Sequence, residues 1–345
     1  MTTRIERPGI VMPVRLDPTG VTGPTPGQAR GPGWRRVGSG RYVPASVDPG
    51  DLEQRIVEAV LGTSGPVAAT GWAALHWGRG RWFSGLAADG VTPLPVPVAL
   101  GDRRAVRPRA GVVLSEDWLF ADDVVELDGL PLTVAERSVA YEMLRAESLI
   151  GAVRAIDMAA ADDLVDVESM RVYAGRLAGR PGVRRLRAAI EWADENSWSP
   201  QEPTMRIHWR RALPQARLLC NAPIFDHDGR HLLTPDLLDV EHGVGGEYDG
   251  VVHLGDGPRR RDLDRDALYR DLGIELVTMM SADGRDLTSF LARLQGAYHR
   301  AAQRRGTPRS WTVDQPDWWV DTSTVARRRV LDAAARAVWL RRQAS

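Results

Sequence analysis

The spacing of apolar residues divides the chain into stretches of different period. Residues 1 to about 33 have none: Pro and Gly are frequent, neither a helical nor a strand rhythm emerges, and an irregular N-terminal segment is expected. Over 33–47, short apolar runs flank Gly38-Ser39-Gly40, which predicts a β-hairpin. From Pro49 to about Trp77 the pattern is helical. Leu52, Ile56, Val57, Val60 and Leu61 fall on one face, and a second short helix covers Trp72 to Trp77. The stretches 96–100, 111–114 and 124–127 read as strands, the last closed by Asp128-Gly129 and continued by Leu130-Pro131-Leu132. Helices are expected over about 133–194, opened by a capping box with Thr133 at the cap and Glu136 three residues on. The polar stretch Trp192 to Ser199 marks a boundary.

Beyond it the alternation changes. A helix is predicted over about 203–213, strands over 217–225, 230–239 and 244–250, and a charged helix over about 259–272. A strand over 274–278 and a helix over 286–304 follow. Residues 307–322 read as a loop with exposed tryptophans, and a final basic helix covers about 323–342. The expected organisation is an irregular segment (1–33), a mixed α/β region (34–195), a second α/β domain (199–303) and a basic C-terminal tail with a helix (304–345). The fold class is α/β in the broad, α+β sense.

Composition narrows the setting. The 345 residues balance 45 basic against 45 acidic side chains, so the whole chain is not a polyanion binder by net charge. Arginines concentrate in the first fifty residues and after about 303, while the middle is acidic. No apolar run reaches the roughly 20 residues that span a bilayer, and no signal peptide is recognisable. With Cys220 as the one cysteine, no internal disulfide can form, which points to a reducing cytoplasm. Cys220 lies in an apolar stretch and reads as a buried small hydrophobe. There is no lysine, so no mechanism that needs one can operate.

The candidate chemistry lies in the acids of the second domain. Asp236 is followed eleven residues later by Glu247, on strands that would pair as neighbours. Two carboxylates on adjacent strands can share a hard cation such as Mg²⁺, which takes a few carboxylate oxygens and water. Such an ion activates an attacking water and stabilises charge on a scissile phosphate. Glu247 and Asp249 share a strand face. The competing reading is a solvent-facing edge that happens to carry acids. His227 and His231 flank an Asp228-Gly229 hairpin turn and are not read as zinc ligands.

Four motifs in order carry a resemblance. Ser199-Pro200-Gln201-Glu202-Pro203-Thr204-Met205-Arg206 is similar to S-P-x-E-[ST]-x-L-R, and Thr234-Pro235-Asp236 resembles a PD motif. Glu247-Tyr248-Asp249-Gly250-Val251-Val252-His253 resembles E-x-D-G-x-x-H, and Asp262 to Asp266, ending at Gly273-Ile274, resembles D-x-x-R-D with its glycine turn. The family is the very-short-patch-repair-endonuclease-like branch of the PD-(D/E)XK superfamily, whose members often follow an AbiEi-antitoxin-like region. The resemblance implies a restriction-endonuclease-like fold over 199–303 and a DNA endonuclease (a hydrolase) using Mg²⁺ or Mn²⁺, tied to defence or a toxin–antitoxin-like system. Asp236 would be the central metal ligand and Glu247 the second. Glu202 would bind the metal directly or through water, and His253 would serve as general base or phosphate contact. Asp249 would belong to the same catalytic set, Arg206 to the nucleic-acid contacts, and Arg265 would pair with a phosphate or with one of the acids.

Asp249 stands where the superfamily usually has lysine, and Pro203 replaces the usual Ser or Thr. Ser199 and Glu202 also spell a capping box, and a helix beginning with Pro203 at its first position would put Glu202 at the cap. Arg35 to Pro44 is similar to the wing of AbiEi-like winged-helix antitoxins, which implies DNA contacts by Arg35, Arg36 and Arg41. The helix that should precede a wing is missing from the pattern of residues 1–33. DNA is the expected partner. No small-molecule cofactor is expected, and the oligomeric state is left open. The alternative function is a non-catalytic DNA-binding regulator on a degenerate nuclease fold. A third is an interaction module using Trp318-Trp319 and the basic last helix.

Overall fold

The protein is seen here as a computed structural model, which describes residues 5–101, 105–249, 256–304 and 306–343, without the side chains of 256–263. His253 therefore lies outside the described residues. The chain forms two compact units, Met1–Ala146 with Glu168–Arg187, and Glu147–Val167 with Ala188–Ser345. Among the described residues no helix is long and apolar enough to cross a membrane.

The first unit opens with β1 (Val14–Arg15), β2 (Trp34–Gly38) and β3 (Arg41–Pro44), a sheet in the order β1-β3-β2. The expected hairpin is present, but the segment before it is not irregular throughout. It supplies β1, and its Arg7 is buried, ion-paired with Glu53 and Asp128, with the guanidinium 3.7 Å from the Trp77 ring centre. A two-residue strand and one long-range cation leave no trace in a periodicity. α1 (Leu52–Leu61) follows, capped by the Asp51 side chain on the Gln54 N–H. Next come β4 (Val67–Ala69), α2 (Gly71–Trp77), β5 (Val96–Leu100), β6 (Val112–Ser115), β7 (Val124–Leu127) and β8 (Leu130–Thr133). The strands form a sheet ordered β6-β5-β4-β8-β7. β4 falls inside the stretch predicted helical, because three residues are too few to show an alternation. The capping box at Thr133 does not form. α3 (Ala135–Arg145) begins after Val134, and the Thr133 hydroxyl instead meets those of Thr70 (2.8 Å) and Ser138 (2.7 Å) in the core. α4 (Leu149–Ala161) belongs to the second unit, while α5 (Val167–Arg176) and α6 (Val183–Ile190) fall largely in the first.

The second unit continues with α7 (Glu202–Ala212), β9 (Leu218–Cys220), β10 (Ile224–Asp226), β11 (His231–Leu233), β12 (Leu237–Asp239) and β13 (Val244–Asp249). Then come α8 (Asp256–Asp271), β14 (Glu275–Met280), α9 (Thr288–Gln303), β15 (Trp311–Thr312), α10 (Val325–Arg329) and α11 (Ala333–Gln343). A mixed sheet runs β14-β13-β12-β9, antiparallel except for the β13–β14 pair joined through α8. The strands expected over 217–225 and 230–239 each break in two. Asn221 takes a φ of +45°, and Pro223 and Pro235 carry no N–H, so the ladder cannot run on. β9 and β12 join the four-stranded sheet, and β10 and β11 form a separate sheet with β15.

Strand alternation sets the core of this unit. Leu237 packs with Met205, Trp209, Phe290 and Leu294, whereas Leu238 packs with Tyr269, Ile274 and Trp311. Gly246 admits the first layer: a Cβ there would stand 2.6 Å from the Trp209 ring. The tail is less exposed than its composition predicts. Trp311 is buried in β15, Trp319 stacks on His231 at 5.0 Å, and Trp318 remains exposed as expected. The single final helix is instead α10 and α11. Arg328 is fully buried, 2.7 Å from Asp163, with its guanidinium over the buried Trp339 ring.

Arg206, expected at a phosphate, is buried on α7 and pairs with the fully buried Asp157 of α4 at 2.6 Å. It also donates to the Ser197 hydroxyl (2.7 Å) and the Trp192 carbonyl (2.9 Å), so a phosphate contact would require breaking this network. Within the polar stretch 192–199, Asn196 and Ser197 are buried. Asp157 stays up at about 6 because burial outweighs the nearby guanidinium. Arg206→Ala leaves that carboxylate unpaired and should cost about 3–5 kcal/mol in denaturant unfolding. An effect below about 1 kcal/mol would show that the ion pair is not structural.

Candidate functional site

β12 and β13 pair with Leu237 opposite Gly246, Leu238 opposite Gly245 and Asp239 opposite Val244. Continuing that register by one residue sets Asp236 opposite Glu247, and directly opposed residues point to one face. It is the face of Leu238 and of Gly245, over which Tyr269 of α8 lies. The two acids are therefore neighbours on one side of the sheet. The Tyr248 N–H donates to Asp236 Oδ2 at 2.7 Å. Asp236 lies just before β12, and its carbonyl accepts from the Asn221 N–H at 3.0 Å, one residue beyond the β9–β12 ladder.

Glu202 enters from the first turn of α7, at the position before Pro203. Neither arrangement considered for it from sequence is the one found: the helix starts at Glu202 and Pro203 stands second. Its Oε2 accepts from the Trp198 N–H (2.9 Å) and from the Asn221 side-chain amide (2.6 Å). Glu202 is buried, and burial followed by the charge of Asp236 pushes its carboxyl up to about 8. Asp236 is raised to about 7 by burial and by Glu247. Burial raises Glu247 as well, against the pull of Arg265. Three acids separated by up to 45 residues thus repel one another at one end of the sheet.

Two side chains of α8 restrain Glu247. Arg265 donates to Glu247 Oε1 from Nη2 (2.6 Å) and Nε (3.0 Å), and to the Thr234 carbonyl at 2.9 Å. The Tyr269 hydroxyl donates to the same carboxylate oxygen. Burial works against the Arg265 charge, yet Glu247 holds its pKa above the ordinary value. Asp249 ends β13 and is exposed. Arg35, Arg36 and Arg41 belong to the first unit. Arg35 is engaged there by both oxygens of Glu58, at 2.6 and 2.9 Å, and Arg41 donates to the Pro13 carbonyl at 3.0 Å.

Among the described residues no group of three or more His, Cys, Asp or Glu side chains surrounds one point closely enough to hold a metal ion. The donor set of Asp236 and Glu247 nevertheless suits a hard divalent cation that keeps most of its water. Among the described residues the donors go to Asp236 Oδ2 and Glu247 Oε1, and the other oxygen of each would be the natural ligand. Sequence reasoning missed Asn221 and Tyr269. Tyr269 was discoverable: it lies four residues after Arg265, hence on the same helix face. Asn221 was not, because its role depends on a local left-handed turn.

The raised acids dictate a pH response. In the folded chain they hold protons that the unfolded chain releases above the ordinary carboxyl range, so stability is full below about pH 4 and falls as pH rises through about 7–8. Chelator-treated protein should lose on the order of 2 kcal/mol between pH 5 and pH 8.5, with Asp157 contributing to the lower part of the fall. Asp236→Asn should flatten the upper part in thermal unfolding; a stability that climbs over this range would contradict the cluster. Comparison with protein-family models, curated proteins and solved structures finds no match to this chain.

Proposed function

We propose that the second unit is a metal-dependent DNA endonuclease of PD-(D/E)XK type, hydrolysing phosphodiester bonds with Mg²⁺ or Mn²⁺. The observation that carries this reading is the convergence of Glu202, Asp236 and Glu247 from a helix and two adjacent strands into one like-charged cluster. Clusters of repelling carboxylates are retained where a cation or a proton is needed for function. The element order supports it: a helix, three antiparallel strands of one sheet, a crossover helix and a parallel fourth strand.

Asp236 and Glu247 would hold the cation, and Glu202 would join them through a water. When bound, the cation lowers the pKa of the attacking water and stabilises charge on the phosphorane. The chain's own groups do the rest. Arg265 and Tyr269 fix the rotamer of Glu247, and the Tyr248 N–H and the Asn221 amide orient Asp236 and Glu202. Glu202, once ionised beside the bound cation, would take the proton released by the attacking water. Water adds to phosphorus, the P–O bond to the leaving sugar oxygen breaks, and that oxygen is protonated from solvent. His253 keeps its proposed place as base or phosphate contact.

A second reading has its own observation. Arg265 already neutralises Glu247, and the chain has no lysine to assist the transition state. A DNA-binding regulator that keeps the fold as scaffold would tolerate both. Supercoiled plasmid with Mg²⁺ or Mn²⁺ separates the two. Nicking or linearisation that falls at least about 100-fold in Asp236→Asn and Glu247→Gln supports the nuclease. Folded protein that binds duplex DNA in chelator, cleaves nothing and shows no calorimetric Mn²⁺ uptake supports the regulator.

A further inference from the structure

The first unit contains a cleft that the nuclease reading does not use. Two cavities, about 680 Å³ and 350 Å³, share Ser39, Thr63 and Ser64 and so form two lobes of one depression beside the β2–β3 turn. The larger has an apolar floor that includes Val60, Leu61, Val67 and Val124, with Arg15 and Arg41 on its wall. Arg36, Arg107 and Arg109 line the smaller. Among the described residues no Asp or Glu lines either lobe. In a chain with equal numbers of acidic and basic side chains, five arginines around one cleft without a carboxylate is a strong local excess.

The excess is built into the backbone. Arg15 and Arg41 are direct cross-strand partners in β1 and β3, a placement that is unfavourable for like charges. Arg41 loses some of its hold on its proton through burial and through Arg15. Arg109 donates to the Glu58 carbonyl at 3.1 Å, near the C-terminal end of α1, which fixes its place in the wall. The turn and the end of α1 meet through glycines: a Cβ at Gly62 would stand 2.2 Å from the Val37 carbonyl oxygen, and one at Gly38 would stand 2.3 Å from that of Gly62. Larger residues at either position would push the lobes apart. Among the described residues, the cleft thus holds opposed guanidiniums with no carboxylate in its lining, beside an apolar floor and hydroxyl groups.

We infer that this cleft binds a small phosphate-bearing ligand of nucleotide size, its phosphates among the arginines and hydroxyls and its apolar or aromatic part on the floor of the larger lobe. The combined volume is in the range that encloses such a molecule. Arginine forks suit phosphate oxygens in pairs, and Ser39 and Ser64 add neutral donors, while the Thr63 hydroxyl donates to the Ala59 carbonyl at 2.7 Å. The site is independent of the carboxylate cluster in the other unit.

Isothermal titration of the full chain with ATP, AMP and adenosine in chelator tests it. Nucleotides should bind at least tenfold more tightly than adenosine, with ATP ahead of AMP and an affinity that weakens as salt rises. Arg15→Gln with Arg41→Gln should reduce ATP affinity at least tenfold while leaving the thermal midpoint unchanged or higher, because a repulsion is removed. Arg36→Gln with Arg107→Gln should also weaken ATP more than adenosine. Equal binding of adenosine and ATP, or no nucleotide binding by the wild type, overturns the inference. So does a 20-base-pair duplex that binds more tightly than ATP, is lost in the same variants and is not displaced by ATP, since the cleft would then serve a nucleic-acid backbone. A loss of plasmid cleavage in Asp236→Asn leaves these titrations unaffected, so failure of either reading is seen separately.

Discussion

Electrostatic repulsion among Glu202, Asp236 and Glu247 is the constraint around which the second unit is arranged. Three acids brought together with little solvent would ordinarily be expelled or protonated. Here they are held by donors from four directions: the Trp198 N–H, the Asn221 amide, the Tyr248 N–H, and the Arg265–Tyr269 pair of α8. Each donor engages one oxygen and leaves the cluster short of positive charge. In the proposed nuclease, a bound cation would supply the positive charge that these donors do not.

Behind the cluster, a buried polar chain ties it to the helices. Asp157 accepts from Ser197 and Arg206, Arg206 reaches the Cys220 sulfur, and Asn196 donates to the Cys220 carbonyl. Asn221 then bridges the Asn196 carbonyl and Glu202. Such a network is costly if any member is missing and rigid when complete. Its position explains why Arg206 in the first-helix motif serves the interior. The guanidinium orients α7 against α4 and thereby the carboxylate one turn away. The first unit uses arginine in the opposite way, holding several guanidiniums around a cleft that no acid lines among the described residues.

Much of the second unit was legible in the sequence. The alternation of apolar residues located the stretches that hold β9 to β14, though not their breaks or β15, and the spacing of Asp236 and Glu247 placed them as neighbours, because a tight antiparallel connection leaves few registers open. The hairpin around Gly38-Ser39-Gly40 was legible for the same local reason. Where expectation failed, the cause was long-range. Thr133 had an acceptor available in the core and did not cap. The strands beside Asn221 and Asp236 broke because their halves serve different sheets.

The sequence by itself determined where the longer helices and strand stretches lie, the absence of lysine and of an internal disulfide, and the acids available for chemistry. Those follow from local periodicity and from residue identity. Only the tertiary structure decided that Arg206 is interior, that Arg35 is engaged by Glu58, that Tyr269 and Asn221 belong to the acid cluster, and that arginines from three separate segments share one cleft. Whether a charge meets a counter-charge depends on distance in space. Residues tens of positions apart carry no mark of that distance in the pattern of their neighbours.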